Sequence, residues 1–207
     1  MQNYNRSYFK NIFLREKENS QRNRVRLKEL LSYKENGDLL EIGCGLGGFT
    51  RMAREHFNVA CMDISAYAVR SLQEIPGVKA TQADIETAIL PENTFNVVVA
   101  FNVLEHLKDP TAVINKIKQG LVEDGILFGS VPNNHAVIGK TITKITDIVD
   151  RTHISTYPLL RWKSIFAASF GTAEFFGEIQ LGKNHCIYTR AKGWELFSPN
   201  AVFLCRK

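Results

Sequence analysis

The sequence predicts an α/β fold with a mostly parallel sheet and helices on both of its faces. Strand and helix signals alternate from Gly37 onward, which is typical of parallel strands joined by crossover helices. The run from Phe95 to Phe101 is apolar almost throughout, as a strand covered on both faces must be. A chain of 207 residues, 44% of them hydrophobic, has the size of one compact domain.

The same alternation sets the order of the elements. We predict strands near 38–43, 58–63, 78–83, 95–101 and 125–131. Helices are expected near 47–56, 65–74 and 110–119, between most of these strands. Beyond Thr152 the pattern predicts a helix near 158–170 and extended segments at 172–181 and about 200–206. The fourth strand, as the most continuously apolar one, is expected at the centre of the sheet.

A basic N-terminal segment, residues 1–36, precedes the main part of the domain at 37–207. Residues 1–34 carry nine Lys or Arg against three Glu, within a net charge of +5 for the chain. Apolar spacing predicts a helix from about Gln21 to Tyr33 that packs on the sheet. We interpret its charge as a solvated helix face, with contact to nucleic acid, an anionic membrane surface or an acidic substrate as the alternative. Aromatic and apolar residues before it are expected to form a lid: Tyr4, Tyr8, Phe9, Ile12 and Phe13.

Neither a membrane span nor a secretory leader is predicted. The longest apolar run is only a few residues, far short of the roughly 18 that cross a bilayer, and the N-terminus lacks a secretory hydrophobic region. We therefore expect a soluble cytoplasmic protein. The four cysteines include no Cys-x-x-Cys pair, so neither a zinc site nor a disulfide framework is indicated.

The first predicted strand ends in the string Glu41-Ile42-Gly43-Cys44-Gly45-Leu46-Gly47. Alternating glycines let the chain turn tightly and let a ligand approach the bare main chain. Read as Gly-x-Gly-x-x-Gly with Asp63 downstream, the string also fits a dinucleotide fingerprint. The register that begins at Glu41 instead favours a ligand with a cationic end, because a carboxylate there attracts an ammonium group and repels a pyrophosphate.

This string resembles the first motif of the class I S-adenosylmethionine-dependent methyltransferases. Asn102-Val103-Leu104-Glu105-His106-Leu107, directly after the fourth strand, resembles the motif that follows that strand in the family. The resemblance implies a Rossmann-like three-layer sandwich whose mostly parallel seven-stranded sheet has an antiparallel edge strand. It also implies S-adenosyl-L-methionine as methyl donor and S-adenosyl-L-homocysteine as product. No metal is expected, because a sulfonium is already an activated leaving group.

Cofactor-binding residues are expected at the carboxyl ends of the strands. Asp63 would accept hydrogen bonds from the ribose diol, and Ile64 would lie against one adenine face. The resemblance implies that Asp84 receives the adenine amine beside the Ile85 backbone amide, while Asn102 lines the methionine end through its backbone. The expected set is Glu41, Gly43, Cys44, Gly45, Gly47, Asp63, Ile64, Asp84, Ile85 and Asn102.

Two of these carboxylates have structural alternatives. Asp63 could cap the helix that begins near Ser65, although Ser65 can do so itself. Asp84 could be a loop carboxylate that binds no ligand.

A second, looser match concerns the acceptor side. Asp150-Arg151-Thr152-His153-Ile154 and the later Ser169-Phe170-Gly171 resemble a small-molecule branch related to ubiquinone-biosynthesis O-methyltransferases. A hydroxyl acceptor needs a base, and a neutral imidazole with an ordinary pKa of about 6.5 can take its proton. His153 and His106 are the catalytic candidates, with a structural hydrogen-bonding role as the alternative for each. His135 and Arg151 are candidate substrate contacts, Arg151 for an anionic group.

The sequence therefore predicts S-adenosylmethionine-dependent methyl transfer to a small molecule, with an oxygen nucleophile favoured. An RNA or protein methyltransferase that uses the basic N-terminal segment is one alternative, and a non-catalytic S-adenosylmethionine-binding protein is another. Methylation of base amines is disfavoured, because Asn102-Val103-Leu104 stands where those enzymes carry an Asn/Asp-Pro-Pro-aromatic turn. A nicotinamide-dependent oxidoreductase would leave Glu41 and the segment 102–107 unexplained.

Overall fold

A mixed sheet forms the centre of the structure, a computed structural model that describes residues 20–133, 153–181, 185–190, 193, 195 and 198–207. Its strands are β1 (Asp38–Ile42), β2 (Asn58–Asp63), β3 (Lys79–Gln82), β4 (Phe95–Phe101), β5 (Leu121–Pro132), β6 (Ala173–Leu181), β7 (His185–Thr189) and β8 (Asn200–Arg206). They lie in the order β3-β2-β1-β4-β5-β8-β6-β7. The first five are parallel, β8 is antiparallel to both β5 and β6, and β7 is antiparallel to β6.

Two of the described helices begin at a side-chain cap. The helices are α1 (Ser20–Leu31), α2 (Thr50–Ala53), α3 (Ala66–Gln73), α4 (Pro110–Gly120) and α5 (Leu159–Phe170), with a short 3₁₀ helix at Leu104–His106. The Ser65 hydroxyl accepts the backbone N–H of Ala68 at the start of α3. Asp109 accepts the N–H of Ala112 at the start of α4 and is followed by Pro110, a residue suited to a first helical position.

Helices cover both faces of the sheet, which makes three layers. Along β4, Val97 and Val99 face the core that contains Leu27 and Leu30 of α1 and Leu72 of α3. The alternate β4 residues face the second core, which receives α4 and α5. The β4 residues Val97, Val98, Val99 and Ala100, which contribute to the two cores, are fully buried. The predicted Rossmann-like sandwich with a mainly apolar central strand is therefore confirmed.

The sheet differs from the expectation at its far edge. Within the described residues it has eight strands rather than seven, because β7 adds a five-residue strand beside β6. Antiparallel β8 lies inside the sheet, between β5 and β6, and β7 forms the antiparallel edge. These pairings join segments far apart along the chain, so local sequence patterns do not reveal them.

Several element boundaries also differ from the predicted ones. The helix expected at 47–56 is reduced to the single turn of α2, since the glycine loop occupies its first residues. Strand β5 begins at Leu121, earlier than predicted, with a register shift against β4 and a left-handed Asp124 at φ +59°. Helix α1 lies where it was predicted, whereas the expected lid of residues 4–13 lies outside the described residues. None of the described helices combines the length and the apolar character required to traverse a bilayer.

Candidate active site

The candidate site lies where the carboxyl ends of β1, β2 and β4 meet. Strand β1 has β2 on one side and β4 on the other, because the chain runs outward from β1 to β2 and β3 and then returns to form β4 on the opposite side of β1. Open α/β sheets bind ligands at such a switch in strand order. The glycine loop after β1, Asp63 at the end of β2 and Asn102 after β4 are thereby gathered at one edge.

Two glycines in the loop are required by close packing. Gly43 has φ +71° and Gly47 has φ +80°, in the left-handed region that other residues rarely adopt. A Cβ at Gly43 would lie 2.4 Å from Val103 Cγ2, and one at Gly47 would lie 2.3 Å from Leu72 Cδ2. Gly43 is exposed, whereas Gly47 is buried, so the main chain of Gly43 is open to solvent at the end of β1 and Gly47 packs the loop on α3.

Glu41 and Cys44 lie beneath this loop, each 4% exposed. The Thr50 hydroxyl donates a hydrogen bond to the Glu41 carboxylate, which ties the end of β1 to the start of α2. A hydrogen bond with Cys61 and burial raise the pKa of Cys44. Both side chains therefore belong to the base of the loop, and their expected contacts with a cofactor stay predictions.

Asp63 holds the turn after β2 and the glycine loop together. Its Oδ2 accepts the N–H of Gly45 at 2.9 Å, and its Oδ1 accepts the N–H of Ser65 at 2.8 Å. Burial raises the pKa of Asp63, although these two bonds act in the opposite direction. Since each carboxylate oxygen has a second lone pair, the carboxylate can hold the loop and also accept from a ligand diol. Ile64 beside it is 51% exposed, so an apolar surface lies next to this carboxylate.

Asp84 and Ile85 lie in a loop after β3 that is fastened from below. Asp84 Oδ1 accepts the N–H of Glu86 at 2.9 Å, and the Ile85 side chain is buried. The Lys116 ammonium of α4 donates to the carbonyl oxygens of Ile85, Glu86 and Ala88 at 2.9, 3.1 and 2.7 Å. Sequence reasoning did not single out Lys116, since a helical lysine carries no local sign that it will hold a distant loop.

Asn102 occupies a left-handed position, φ +56°, directly after β4. Its N–H donates to the Ser130 carbonyl oxygen, and its Oδ1 accepts from the Ser130 hydroxyl, both at 2.8 Å. The same hydroxyl accepts from Arg26 Nη2 at 3.1 Å. Arg26 is only 6% exposed, so the interpretation of the basic residues as a solvated face is wrong for this arginine. Arg24 and Lys28, by contrast, are exposed.

Both predicted catalytic histidines lie together beside a buried acid. The rings of His106 and His153 are 4.8 Å apart between centroids, at 60° to each other. Glu105, 1% exposed, has its Oε1 4.0 Å from His106 Nε2. One ligand atom from each of the three residues lies within 4.8 Å of the others, a set that could also hold a metal ion.

The backbone explains why residues so far apart in sequence meet here. The Glu105 carbonyl oxygen accepts the N–H groups of Ile154 at 2.9 Å and Ser155 at 2.8 Å. The Ser155 hydroxyl donates to the Leu107 carbonyl oxygen at 2.7 Å. The segment that carries His153 is therefore hydrogen-bonded along the 3₁₀ helix that carries His106. The substrate-contact candidates His135 and Arg151 lie outside the described residues.

Comparison with known proteins identifies relatives of this arrangement. A family model described as a methyltransferase domain matches residues 14–170. A probable S-adenosylmethionine-dependent methyltransferase of Mycobacterium tuberculosis is 35% identical over 98 residues, which are 46% of this chain and 36% of that protein. A malonyl-(acyl-carrier protein) O-methyltransferase of Halalkalibacterium halodurans is 30% identical over 121 residues, 51% of this chain and 45% of that protein. The matched part spans less than half the length of these curated relatives.

Solved structures share the fold over nearly the whole chain. One from Thermotoga maritima, described as an S-adenosylmethionine-dependent methyltransferase and possible histamine N-methyltransferase, has a TM-score of 0.76 and covers 97% of this chain and 95% of its own. An S-adenosylmethionine-dependent methyltransferase from Archaeoglobus fulgidus has a TM-score of 0.67 and covers 92% of this chain and 97% of its own. Their identities of 13% and 18% make this a likeness of fold.

Proposed function

Because this chain belongs to the class I S-adenosylmethionine-dependent methyltransferases, we propose that it methylates an oxygen atom of a small-molecule acceptor. The observation that supports this proposal is the contact between the rings of His106 and His153, 4.8 Å apart between centroids, with His106 in the 3₁₀ helix that follows β4. A hydroxyl acceptor needs such a group, because it must lose a proton as it is methylated.

The described residues fit the cofactor that the family uses. Gly43 leaves the end of β1 without a side chain, Ile64 offers an exposed apolar surface for a planar base, and Asp63 keeps lone pairs for a diol. Asn102 and Asp84 would complete the set. When bound, S-adenosylmethionine supplies a methyl group on a sulfonium that is already activated for transfer.

The protein's own contribution would be position and proton transfer. An imidazole nitrogen of His153 or His106 takes the proton that the acceptor hydroxyl loses. The buried Glu105 carboxylate, 4.0 Å from His106, attracts the positive charge that the ring then carries. Proximity and exclusion of water supply the remaining acceleration, as in other reactions between two bound partners.

Histidine substitutions test this proposal. We expect His153→Ala to lower kcat on a hydroxyl acceptor by roughly a hundredfold or more, the scale of general-base catalysis, while the Kd for S-adenosylmethionine stays unchanged. His106→Ala identifies which imidazole is the base, and His56→Ala, an exposed histidine on the surface, is the matched control. Acceptors are found by incubating the protein with labelled S-adenosylmethionine and panels of hydroxyl and amine compounds. A wild-type kcat in both His153→Ala and His106→Ala would contradict the proposal, and so would label transfer to amines alone.

Chelation belongs to the same experiment, because the three clustered residues could hold a metal ion. We expect turnover to be unchanged by EDTA, because an imidazole base acts without a metal ion. Loss of turnover that a divalent cation restores would instead make the histidines ligands of that ion.

The macromolecular alternative is weakened by the position of the basic residues. Arg26 and Arg22 of α1 face Glu178, with Nε–carboxylate distances of 3.0 and 3.4 Å, so part of the N-terminal charge is turned inward. An RNA substrate predicts binding that falls steeply with salt, because phosphate contacts release counterions. A non-catalytic binding protein predicts a measurable Kd for the cofactor and no label transfer to any acceptor.

A further inference from the structure

Helix α1 reaches the end of β4 through Arg26. Arg26 Nη2 donates to the Ser130 hydroxyl at 3.1 Å, and that hydroxyl donates to Asn102 Oδ1 at 2.8 Å. The Asn102 N–H also donates to the Ser130 carbonyl oxygen. Ser130 therefore holds both the backbone and the side chain of Asn102, and Arg26 fixes the hydroxyl through which the side chain is held.

The same guanidinium also contacts an aromatic ring at the end of β4. Its central carbon lies 4.2 Å from the centroid of the Phe101 ring, a cation–π distance. Phe101 precedes Asn102 and packs edge-on against Phe49, at the end of the glycine loop, with centroids 5.0 Å apart. Arg26 is therefore linked to the segment after β4 through Ser130. It is also linked to the loop after β1 through the rings of Phe101 and Phe49.

A buried anion holds Arg26 in place. Glu178 on β6 accepts from Arg26 Nε at 3.0 Å and from Nη2 at 3.3 Å. Asn200 and Tyr188 donate to the same carboxylate at 3.3 and 3.4 Å. A fork that pairs with a carboxylate and still reaches a hydroxyl requires the planar guanidinium, which lysine lacks.

We infer that Arg26 is a positioning residue for cofactor binding, which acts through Ser130 to hold Asn102 in its left-handed conformation at the methionine end of the site. This inference rests on the placement of Asn102 in the cofactor site under the proposed function. It assigns α1, outside the glycine loop and the strand ends, a part in cofactor affinity.

The conformation of Asn102 shows why support is needed. Its φ of +56° is one that asparagine adopts more readily than most residues, yet at a cost. Two hydrogen bonds to Ser130 offset that cost and exclude other side-chain rotamers. Loss of the hydroxyl would remove the bond that tethers the Asn102 side chain and would loosen its left-handed backbone, so part of the binding free energy would be spent on ordering that backbone.

Ser130→Ala is the central test, with Ser198→Ala as its matched control. Ser198 is also buried, and its hydroxyl donates to the Glu178 carbonyl oxygen at 2.6 Å, which makes it a neighbour of the network outside the path to Asn102. Calorimetry with S-adenosylmethionine and with S-adenosylhomocysteine gives Kd without any acceptor. We expect Ser130→Ala to raise both Kd values by roughly three- to tenfold, the scale of one hydrogen bond. Ser198→Ala should leave them unchanged at a comparable melting temperature.

A double-mutant cycle separates positioning from general stability. Asn102→Gly keeps the left-handed backbone accessible and removes the side chain that Ser130 holds. In that background Ser130→Ala should raise Kd no further, because the hydroxyl has no side chain to position. Arg26→Lys should weaken binding by a similar factor and be equally silent in Asn102→Gly.

Four outcomes would overturn the inference: an unchanged Kd in Ser130→Ala, an equal loss in Ser198→Ala, additive losses in the double variant, or an unchanged Kd in a folded Arg26→Lys variant. If Arg26→Lys proves unstable, Ser130→Ala still tests the hydroxyl through which Arg26 is inferred to act. Failure of methyl transfer with intact binding would count against the proposed acceptor and leave this inference standing.

Discussion

Gly43→Ala tests the glycine loop, because the substitution has two separate energetic costs: a strained backbone conformation and a steric clash. The residue has φ +71°, where a Cβ costs about 1–2 kcal/mol. That Cβ would also lie 2.4 Å from Val103 Cγ2, and forcing extra atoms into a packed contact costs about 1–3 kcal/mol. We expect the free energy of unfolding to fall by about 2–5 kcal/mol in total, the sum of these costs.

A second substitution isolates the part that concerns the ligand. Val103→Ala removes the methyl group that the new Cβ would strike, so Gly43→Ala should cost only about 1–2 kcal/mol in that background, the left-handed penalty alone. Cofactor affinity should behave differently. If the cofactor lies against the exposed Gly43 main chain, the added methyl group obstructs it whether or not Val103 is trimmed.

The assay combines urea unfolding with calorimetry on the four proteins of this cycle. We expect stability to recover in the double variant while the Kd for S-adenosylmethionine stays at least tenfold above that of Val103→Ala, about 1.4 kcal/mol. Recovery of both quantities together would refute the reasoning, since Gly43 would then serve packing alone and no ligand would touch it.

Three further predictions concern other parts of the network. Asp63→Asn should weaken cofactor binding and loosen the glycine loop, because an amide NH₂ would face the N–H of either Gly45 or Ser65; faster amide hydrogen exchange at Gly45 would show it. Burial alone would raise the pKa of Glu178, but Arg26 and the neighbouring arginine hold it below its ordinary 4.5, so the carboxylate stabilises the fold above that pH and loses this effect as pH falls. Glu178→Gln should therefore cost about 3–5 kcal/mol at neutral pH, as for a broken buried pair, and urea unfolding should show this difference shrinking below pH 4.5. Gly129→Ala would place a Cβ 2.0 Å from a β4 carbonyl oxygen, and we expect too little folded protein for a two-state melt, with a normal melt as the contrary result.

The part of the fold that could be predicted is the part encoded by neighbouring residues. The apolar run of β4, the glycine loop and the Ser65 cap each act within a few positions, and the structure shows each where it was expected. Helix α1 was placed correctly for the same reason. The pairing of β8 between β5 and β6 involves segments distant in sequence, and no local pattern specifies it.

The role of Arg26 illustrates the same limit at the level of one side chain. Among nine basic residues in the N-terminal segment, nothing local distinguishes it from Arg24 or Lys28, which are exposed. Its partner Glu178 lies 152 residues away, in strand β6, whose local sequence gives no sign that this carboxylate is buried. The sheet order brings β6 beside β8 and near α1, and this tertiary arrangement allows Arg26 and Glu178 to form a buried ion pair.

The strand-end residues of the candidate site also form hydrogen bonds within the protein, and this affects what a substitution at these positions measures. Asp63 bonds to Gly45, Asn102 bonds to Ser130, and the loop of Asp84 bonds to Lys116, so each of these three proposed cofactor-binding elements also bonds to the protein. A site built this way is arranged before the ligand arrives, and little binding energy is spent on ordering it. A single substitution therefore removes a ligand contact and an internal bond together. Paired variants such as Asn102→Gly with Ser130→Ala separate the two, because only the internal bond is shared by both positions.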